Sequence, residues 1–167
     1  MTFTGQLVVA RMSPGSHVSV KEQEYICHAY ALNNGLSAVC ITDAEYVRRV
    51  AHTLLTKLLD EFQAAVPENV WNQRPAQPGQ ENQSVASRFP QLEKYLSDYQ
   101  NPQKVDAITK LQMDLDETKI ILHNTLETLL QRDEKLSDLV AKSESLSAQS
   151  KMFYKTAAKT NKCCTIL

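Results

Sequence analysis

The feature that most constrains this chain is the segment 105–162, which contains neither glycine nor proline. Within it, one set of positions, called the seam below, recurs at alternating steps of three and four residues. Sixteen successive positions keep this spacing without a slip, and ten of them are apolar. The pattern predicts a heptad seam on one long helix. At about 1.5 Å per residue, that helix would extend roughly 80 Å. The sixteen positions are Ile108, Leu111, Leu115, Thr118, Leu122, Thr125, Leu129, Arg132, Leu136, Leu139, Ser143, Leu146, Ser150, Phe153, Ala157 and Thr160.

The surroundings of this seam indicate a helix that needs partners. Charged and polar residues flank it, and threonine and serine occupy several of its own positions. Because a single apolar stripe cannot bury itself, we expect the helix to join other helices and to be incompletely ordered without them. The polar seam positions favour a mixed bundle over a simple leucine zipper.

Arg132 is the unusual residue of the seam, with seven positions before it and eight after it. A charge in a core layer is costly unless it is paired. One interpretation is a local irregularity in which the guanidinium reaches out to water. The other is that its five donors are satisfied by side-chain carbonyls of three partner helices, so that it fixes register and stoichiometry.

The first 70 residues predict an α+β domain in which an antiparallel sheet packs with helices. YICHAYAL (25–32) alternates like a strand, NNG (33–35) is typical of a hairpin turn, and LSAVCITD (36–43) returns as the second strand. TFTGQLVVARM (2–12) is ambiguous and fits the back half of a helix. Asp43 is the expected N-cap of a helix that runs from Ala44 to Pro67. The apolar face of that helix is Tyr46, Val47, Val50, Leu54, Leu55, Leu58, Leu59 and Phe62.

Several function classes are excluded by composition and motif. The formal net charge of −1 gives no global attraction to nucleic acid. No stretch is long and apolar enough for a membrane helix, and the N-terminus does not resemble a signal peptide. The sequence shows no zinc-site spacing, no P-loop and no Ser/His/Asp constellation, so we predict no catalytic residues and no metal. The polar, proline-rich stretch 67–90 is a predicted loop, and QLEKYLSDYQ (91–100) a short helix.

The last five residues, CCTIL, predict covalent lipids and no other cofactor. Cys164 begins a C-a-a-X prenylation pattern, and the leucine at its end favours geranylgeranyl over farnesyl. Cys163 is the predicted site of a second lipid, a palmitoyl or another group, because one lipid gives only marginal attachment. Four lysines ahead of the tail either strengthen contact with an anionic membrane or form a solvated face: Lys151, Lys155, Lys159 and Lys162.

The central arginine, the string LLQRDEKLSDLVAKSESLSAQSKMFYKTAAK and the seam residue Phe153 resemble the R-SNARE motif of the synaptobrevin-like family. VSVKEQEYICHAYA, AVCITDAEYVRRVAHTLLTKLLDEF and LDETKIILHNTLETLLQR resemble the longin R-SNAREs that carry a C-terminal lipid motif in place of a transmembrane helix. The resemblance covers nearly the whole chain. That family's longin domain has two further strands and the first half of a helix ahead of MTFTGQLVVARM, so we expect an N-terminally incomplete domain with a three-stranded sheet. Its usual last residue favours farnesyl, which leaves the prenyl group open.

The resemblance implies a longin-like domain over 1–100, an R-SNARE coiled-coil helix over 105–162 and a lipidation tail over 163–167. It implies a vesicular R-SNARE that joins three Q-SNARE helices (Qa, Qb and Qc) in a parallel four-helix bundle and drives membrane fusion, with the longin domain folding back to close the unpaired protein. Arg132 is then the central layer and the other fifteen seam residues are bundle layers.

Further partners implied by the resemblance are the SNARE disassembly machinery, a prenyltransferase and the membrane surface. The implied locations are the cytosol and the cytoplasmic faces of Golgi, ER-derived vesicle and endosomal or vacuolar membranes. Two alternatives stay open: a truncated regulatory or interfering SNARE module, and S-acyl transfer by the longin domain.

Overall fold

The computed structural model describes residues 2–71, 89–101, 119–144 and 146–162 of the 167. Among the described elements, a helix, three consecutive strands and three helices come first, and a fourth strand and a helical segment follow. In chain order they are α1 (Thr2–Arg11), β1 (His17–Glu22), β2 (Tyr25–Ala31), β3 (Ser37–Asp43), α2 (Arg48–Ala65), α3 (Glu68–Trp71), α4 (Gln91–Asp98), β4 (Ile120–His123), a 3₁₀ turn (Leu126–Leu129), α5 (Leu136–Lys142) and α6 (Ala148–Lys162).

The four strands form one mixed sheet in the order β3-β2-β1-β4. Strands β1, β2 and β3 pair antiparallel, and the pairing of β2 with β3 is the predicted one. The expected three-stranded sheet is wrong, because β4 adds a fourth strand that runs parallel to β1, with His17 opposite Ile120 and Ser19 opposite Leu122. This strand comes from the heptad segment, so part of the predicted long helix completes the sheet of the N-terminal domain.

The β2–β3 hairpin is confirmed with its predicted turn. Gly35 has φ of 88°, in the left-handed region that glycine adopts without strain. The Leu36 amide donates to Asn34 Oδ1 at 3.1 Å, which is the local bonding that makes asparagine a good turn residue.

Helix α1 confirms the helical interpretation of the N-terminal segment and covers one face of the sheet. Leu7 and Val8 pack with Val18, Val20 and Cys27 in a buried cluster. A Cβ added at Gly5 would lie 3.2 Å from Val39 Cγ1, so the helix approaches β3 closely where glycine stands.

Helix α2 lies against the opposite face of the sheet and begins later than predicted. Asp43 is not its N-cap: the helix starts at Arg48 after Val47, which makes no side-chain cap bond. Asp43 Oδ1 instead accepts from the Tyr46 amide at 2.8 Å, so the carboxylate shapes the turn ahead of the helix. The predicted apolar face is buried at Val50, Leu54, Leu55 and Leu59, whereas Val47 is 38% exposed. The short helix at 91–98 is confirmed.

The heptad segment is not a continuous helix in the part that the structure describes. After 119 it forms β4, the 3₁₀ turn and two separate helices, and Ser143 ends α5 in an extended conformation. Apolar residues of this segment pack on the core of the N-terminal domain. The first four seam positions lie outside the described residues. None of the described helices has both the length and the apolar character to span a bilayer.

Candidate functional site

The packing of the heptad segment on the N-terminal domain is the candidate functional site. Leu126, which is not a seam position, is 5% exposed and belongs to the same buried cluster as α1 and β1. Three seam residues pack against that cluster and are partly buried: Leu129, Leu136 and Leu139. Val140, also off the seam, is 4% exposed. The domain therefore covers three apolar positions of the predicted seam.

The other seam positions are less buried. Leu122 is 50% exposed, and Thr125 and Ser150 are exposed, whereas Ser143 and Leu146 are half-buried. Phe153, Ala157 and Thr160 lie in α6. The assignment of the seam positions as bundle layers stays a prediction, because the structure contains a single chain without partner helices.

Strand β4 links the heptad segment to the N-terminal domain through backbone hydrogen bonds with β1. Residues 120–123 pair with residues 17–20 in parallel register. The turn that follows is fixed by the Leu126 amide, which donates to Glu22 Oε2 at 3.3 Å. A seam residue, Leu122, is thus held in a strand, and helix formation across it requires the strand to leave the sheet.

An ion pair fixes the segment two residues beyond Arg132. Arg11 Nη2 at the end of α1 lies 2.6 and 2.8 Å from the two carboxylate oxygens of Glu134. The Gln131 amide also donates to Glu134 Oε2, at 3.1 Å. This backbone bond, followed by the bond from Arg11, lowers the pKa of Glu134. Neither Arg11 nor Glu134 was singled out from sequence, since charged residues flank the whole seam.

Arg132 itself is exposed and makes no ion pair with any other residue in the described part of the chain. It lines a polar cavity of about 560 Å³ together with Glu127, Lys135 and Tyr154. In this conformation the side chain of Arg132 is exposed to solvent and occupies neither a buried layer nor an ion pair among the described residues. Its proposed role in a bundle therefore requires a change of conformation.

An apolar cavity of about 370 Å³ lies where the heptad segment meets the domain. Helix α1 contributes Phe3, the sheet contributes Cys27 and Ile41, and the heptad segment contributes Leu136 and Val140. The cavity can accept an apolar guest, and its walls come from both parts of the chain. Burial raises the pKa of Cys27 to about 11, so this thiol is an unreactive part of the wall.

The predicted basic and lipidated residues lie at the end of the chain. Lys151 is half-buried and donates to the Ala141 carbonyl at 3.0 Å, whereas Lys155 is exposed. Lys159 and Lys162 fall within α6. Cys163 and Cys164 lie outside the described residues. Within the described ranges, no group of three or more histidine, cysteine or acidic residues is placed to hold a metal ion.

The mixed sheet between helices and the heptad segment folded onto it define a longin-domain SNARE, and comparison with protein families agrees. Residues 1–86 match the Longin family, described as a regulated-SNARE-like domain, and residues 107–165 match the Synaptobrevin family. The chain belongs to the longin-containing synaptobrevin family of R-SNAREs.

Among curated proteins, the chain is similar to the synaptobrevin homologue YKT6 of Saccharomyces cerevisiae, with 49% identity over 167 residues that cover 100% of this chain and 80% of the relative. It is 50% identical to the protein of the same name in Candida glabrata, covering 78% of that relative. These relatives are named as synaptobrevin homologues, and neither name describes an enzyme. The comparisons do not favour an interfering module or S-acyl transfer.

Proposed function

We propose that this vesicular R-SNARE contributes residues 105–162 as one helix of a parallel four-helix bundle with Qa, Qb and Qc helices, and that the described structure is its closed, unpaired conformer. The observation that carries the proposal is the position of Leu129, Leu136 and Leu139 on the core of the N-terminal domain. Seam residues covered in this way are not free to pack with partner helices. Assembly then moves these side chains from one apolar contact to another. Burying a large side chain from water contributes about 1.5–3 kcal/mol before entropic costs, so the domain and the bundle compete for the same gain.

The closed conformer supports autoinhibition by the longin-like domain, which we assign to 1–100. Three separate contacts have to break before the seam becomes a continuous helix: the β1–β4 ladder, the Glu22–Leu126 bond and the Arg11–Glu134 pair. Each is formed by the domain on one side and the heptad segment on the other. The domain thereby keeps the apolar seam from binding unsuitable partners.

The tail 163–167 supplies the membrane anchor in this proposal, with a prenyl group on Cys164 and a second lipid on Cys163. The apolar cavity bounded by Phe3, Ile41 and Val140 is the site we propose for a lipid chain while the protein is closed. Lipid release and opening of the segment would then be linked, since both parts of the chain form the cavity walls. A prenyltransferase, the SNARE disassembly machinery and the cytoplasmic faces of Golgi, vesicle and endosomal or vacuolar membranes belong to the same proposal.

Replacing Arg132 by alanine is expected to lower the thermal stability of the assembled bundle and to loosen its register, because the polar layer no longer penalises shifted alignments. The measurement is the melting temperature of complexes with purified Q-SNARE helices, together with cross-linking that reports which layers face each other. Lys135→Ala, an exposed cation off the seam, is the matched control. Equal stability, register and partner choice in Arg132→Ala and the unmodified protein would refute the central-layer role.

Replacing Arg11 by alanine is expected to speed bundle assembly a few-fold, since a partly exposed ion pair stabilises the closed conformer only modestly. Stopped-flow mixing with labelled Q-SNARE helices measures the rate. Lys57→Ala removes a comparable surface cation, paired with Glu61 at 4.0 Å, without touching the heptad segment. The exchanged pair Arg11→Glu with Glu134→Arg should return the slower rate, and failure of both effects would show that the pair does not restrain opening.

A further inference from the structure

Three of the four histidines of the chain meet between the sheet and α2. His28 on β2 and His52 on α2 are both 0% exposed, and His17 at the start of β1 is half-buried. The ring of His17 stacks on Tyr30 with centroids 3.9 Å apart. A buried cluster of this kind is not needed for helix or strand formation, and the family comparison assigns it no role.

The three rings belong to one chain of hydrogen bonds that crosses the domain. His17 Nδ1 lies 3.1 Å from His52 Nδ1, and Ser19 Oγ lies 2.8 Å from His52 Nε2. The same serine oxygen lies 2.9 Å from His28 Nδ1. His28 Nε2 then reaches Thr42 Oγ1 at 3.1 Å, and Thr42 donates to the Asp43 carbonyl at 2.9 Å.

With neutral rings, these bonds form one continuous chain from donor to acceptor. Because the Thr42 hydroxyl donates to a carbonyl, it accepts from His28 Nε2–H. His28 Nδ1 then accepts from Ser19, Ser19 accepts from His52 Nε2–H, and His52 Nδ1 accepts from His17 Nδ1–H. Every bond is satisfied with all three rings neutral. A proton added to Nδ1 of the buried His28 would replace the acceptor of the Ser19 hydroxyl by a donor, and the hydroxyl proton would lose its partner.

The neighbours of the cluster reinforce this preference for neutral rings. From α2 the charged group that faces His28 and His52 is the Arg48 guanidinium, from β2 Tyr30 stacks on His17, and from β3 the contact is the Thr42 hydroxyl. Within the described residues, none of the three rings bonds to a carboxylate. Burial, followed by Arg48, lowers the pKa of His28 to about 4.

Burial also lowers the pKa of His52, to about 3, with the other two histidines and Arg48 adding to the shift. The pKa of His17 is lowered by burial alone. An unfolded or solvated histidine titrates near 6.5. Above that pH the rings are neutral in both the closed and the open state, so the balance between the two states does not depend on pH. As pH falls through 6.5 toward about 4, the open state takes up protons that the closed state refuses, so the closed state loses stability.

Strand β1 connects this network to the heptad segment. His17 and Ser19, the first and central members of the bond chain, pair across the ladder with Ile120 and Leu122 of β4. We propose that the histidine network is a proton-sensitive lock, in which protonation separates β1 from α2 and releases β4 from the sheet. This inference rests on the closed conformer proposed above and adds the signal that opens it.

The test follows the methyl signals of Ile120 and Ile121 by NMR in the full chain between pH 7.5 and 5.5. The fraction with released β4 is expected to rise about tenfold for each histidine that becomes solvated. Far-UV circular dichroism in the same buffers should show the rest of the domain still folded. The imidazole signals of the closed population should stay neutral over the same range.

His52→Phe removes the central ring while filling its space, and it is expected to move the release to lower pH by about one unit. His123→Asn, on β4 and outside the network, is the matched control and should follow the unmodified profile. Identical profiles for His52→Phe and the unmodified chain, or titration of the buried rings in the closed state near pH 6.5, would overturn the lock.

Two further outcomes separate this inference from the proposed function. A strand β4 already released at pH 7.5 would refute the closed conformer itself. A strand that stays paired down to pH 5.5, or that leaves only when the whole domain unfolds, would refute the lock and leave autoinhibition standing.

Discussion

Replacing Cys164 by serine is expected to remove nearly all of the protein from membranes, because serine cannot form the thioether through which a prenyl group is attached. The four lysines ahead of the tail contribute only about 1 kcal/mol each near an anionic surface. Flotation of the full chain with liposomes, after modification by cell extract and an added prenyl donor, measures the bound fraction.

Cys163→Ser is the matched comparison for this prediction. It keeps the prenyl site and loses the second lipid, so it should bind weakly and reversibly instead of being lost altogether. Intact-mass spectrometry of the C-terminal peptide identifies the prenyl group in the same samples. Persistent membrane binding by Cys164→Ser would mean that another part of the chain is the anchor.

The elements that the sequence predicts correctly are those set by neighbouring residues. The turn at Asn34 and Gly35, the alternation of β2 and the apolar face of α2 each depend on a few adjacent positions. The start of α2 is the exception, since Asp43 can form either a cap or a turn and its bond to the Tyr46 amide selects the turn.

Strand β4 could not be predicted from periodicity. Residues 120–123 keep the heptad register, and the same side chains suit a helix in a bundle or a strand on β1. Two neighbouring isoleucines favour extended backbone locally, but the choice depends on which partner is present. The heptad pattern therefore predicts a helix for these residues, and in the structure of the single chain they form a strand.

The Arg11–Glu134 pair and the histidine network were beyond sequence reasoning for a different reason. Arg11 and Glu134 are separated by 123 positions, and His17 and His52 by 35. Nothing in the local pattern links such residues until the sheet and helices bring them together. Arg132 shows the converse: its position on the seam was evident, yet in the unpaired chain it is exposed.

Replacing Leu55 by alanine is expected to destabilise the N-terminal domain by about 2–5 kcal/mol, because the side chain is 2% exposed between α2 and the sheet and its loss leaves a cavity. The measurement is urea unfolding of the full chain, followed by circular dichroism. The urea concentration at the midpoint of unfolding should fall, whereas the slope of the unfolding free energy against urea concentration should stay constant, as expected for a change in stability alone.

Leu96→Ala, on α4 with 53% of its surface exposed, is the matched control and should change the free energy of unfolding by less than about 0.5 kcal/mol. If the domain restrains the seam, Leu55→Ala should also raise the rate of assembly with Q-SNARE helices, since each unfolding event frees Leu129 and Leu136. A destabilised domain with an unchanged assembly rate would separate the two properties and show that its packing on the seam is not what limits assembly.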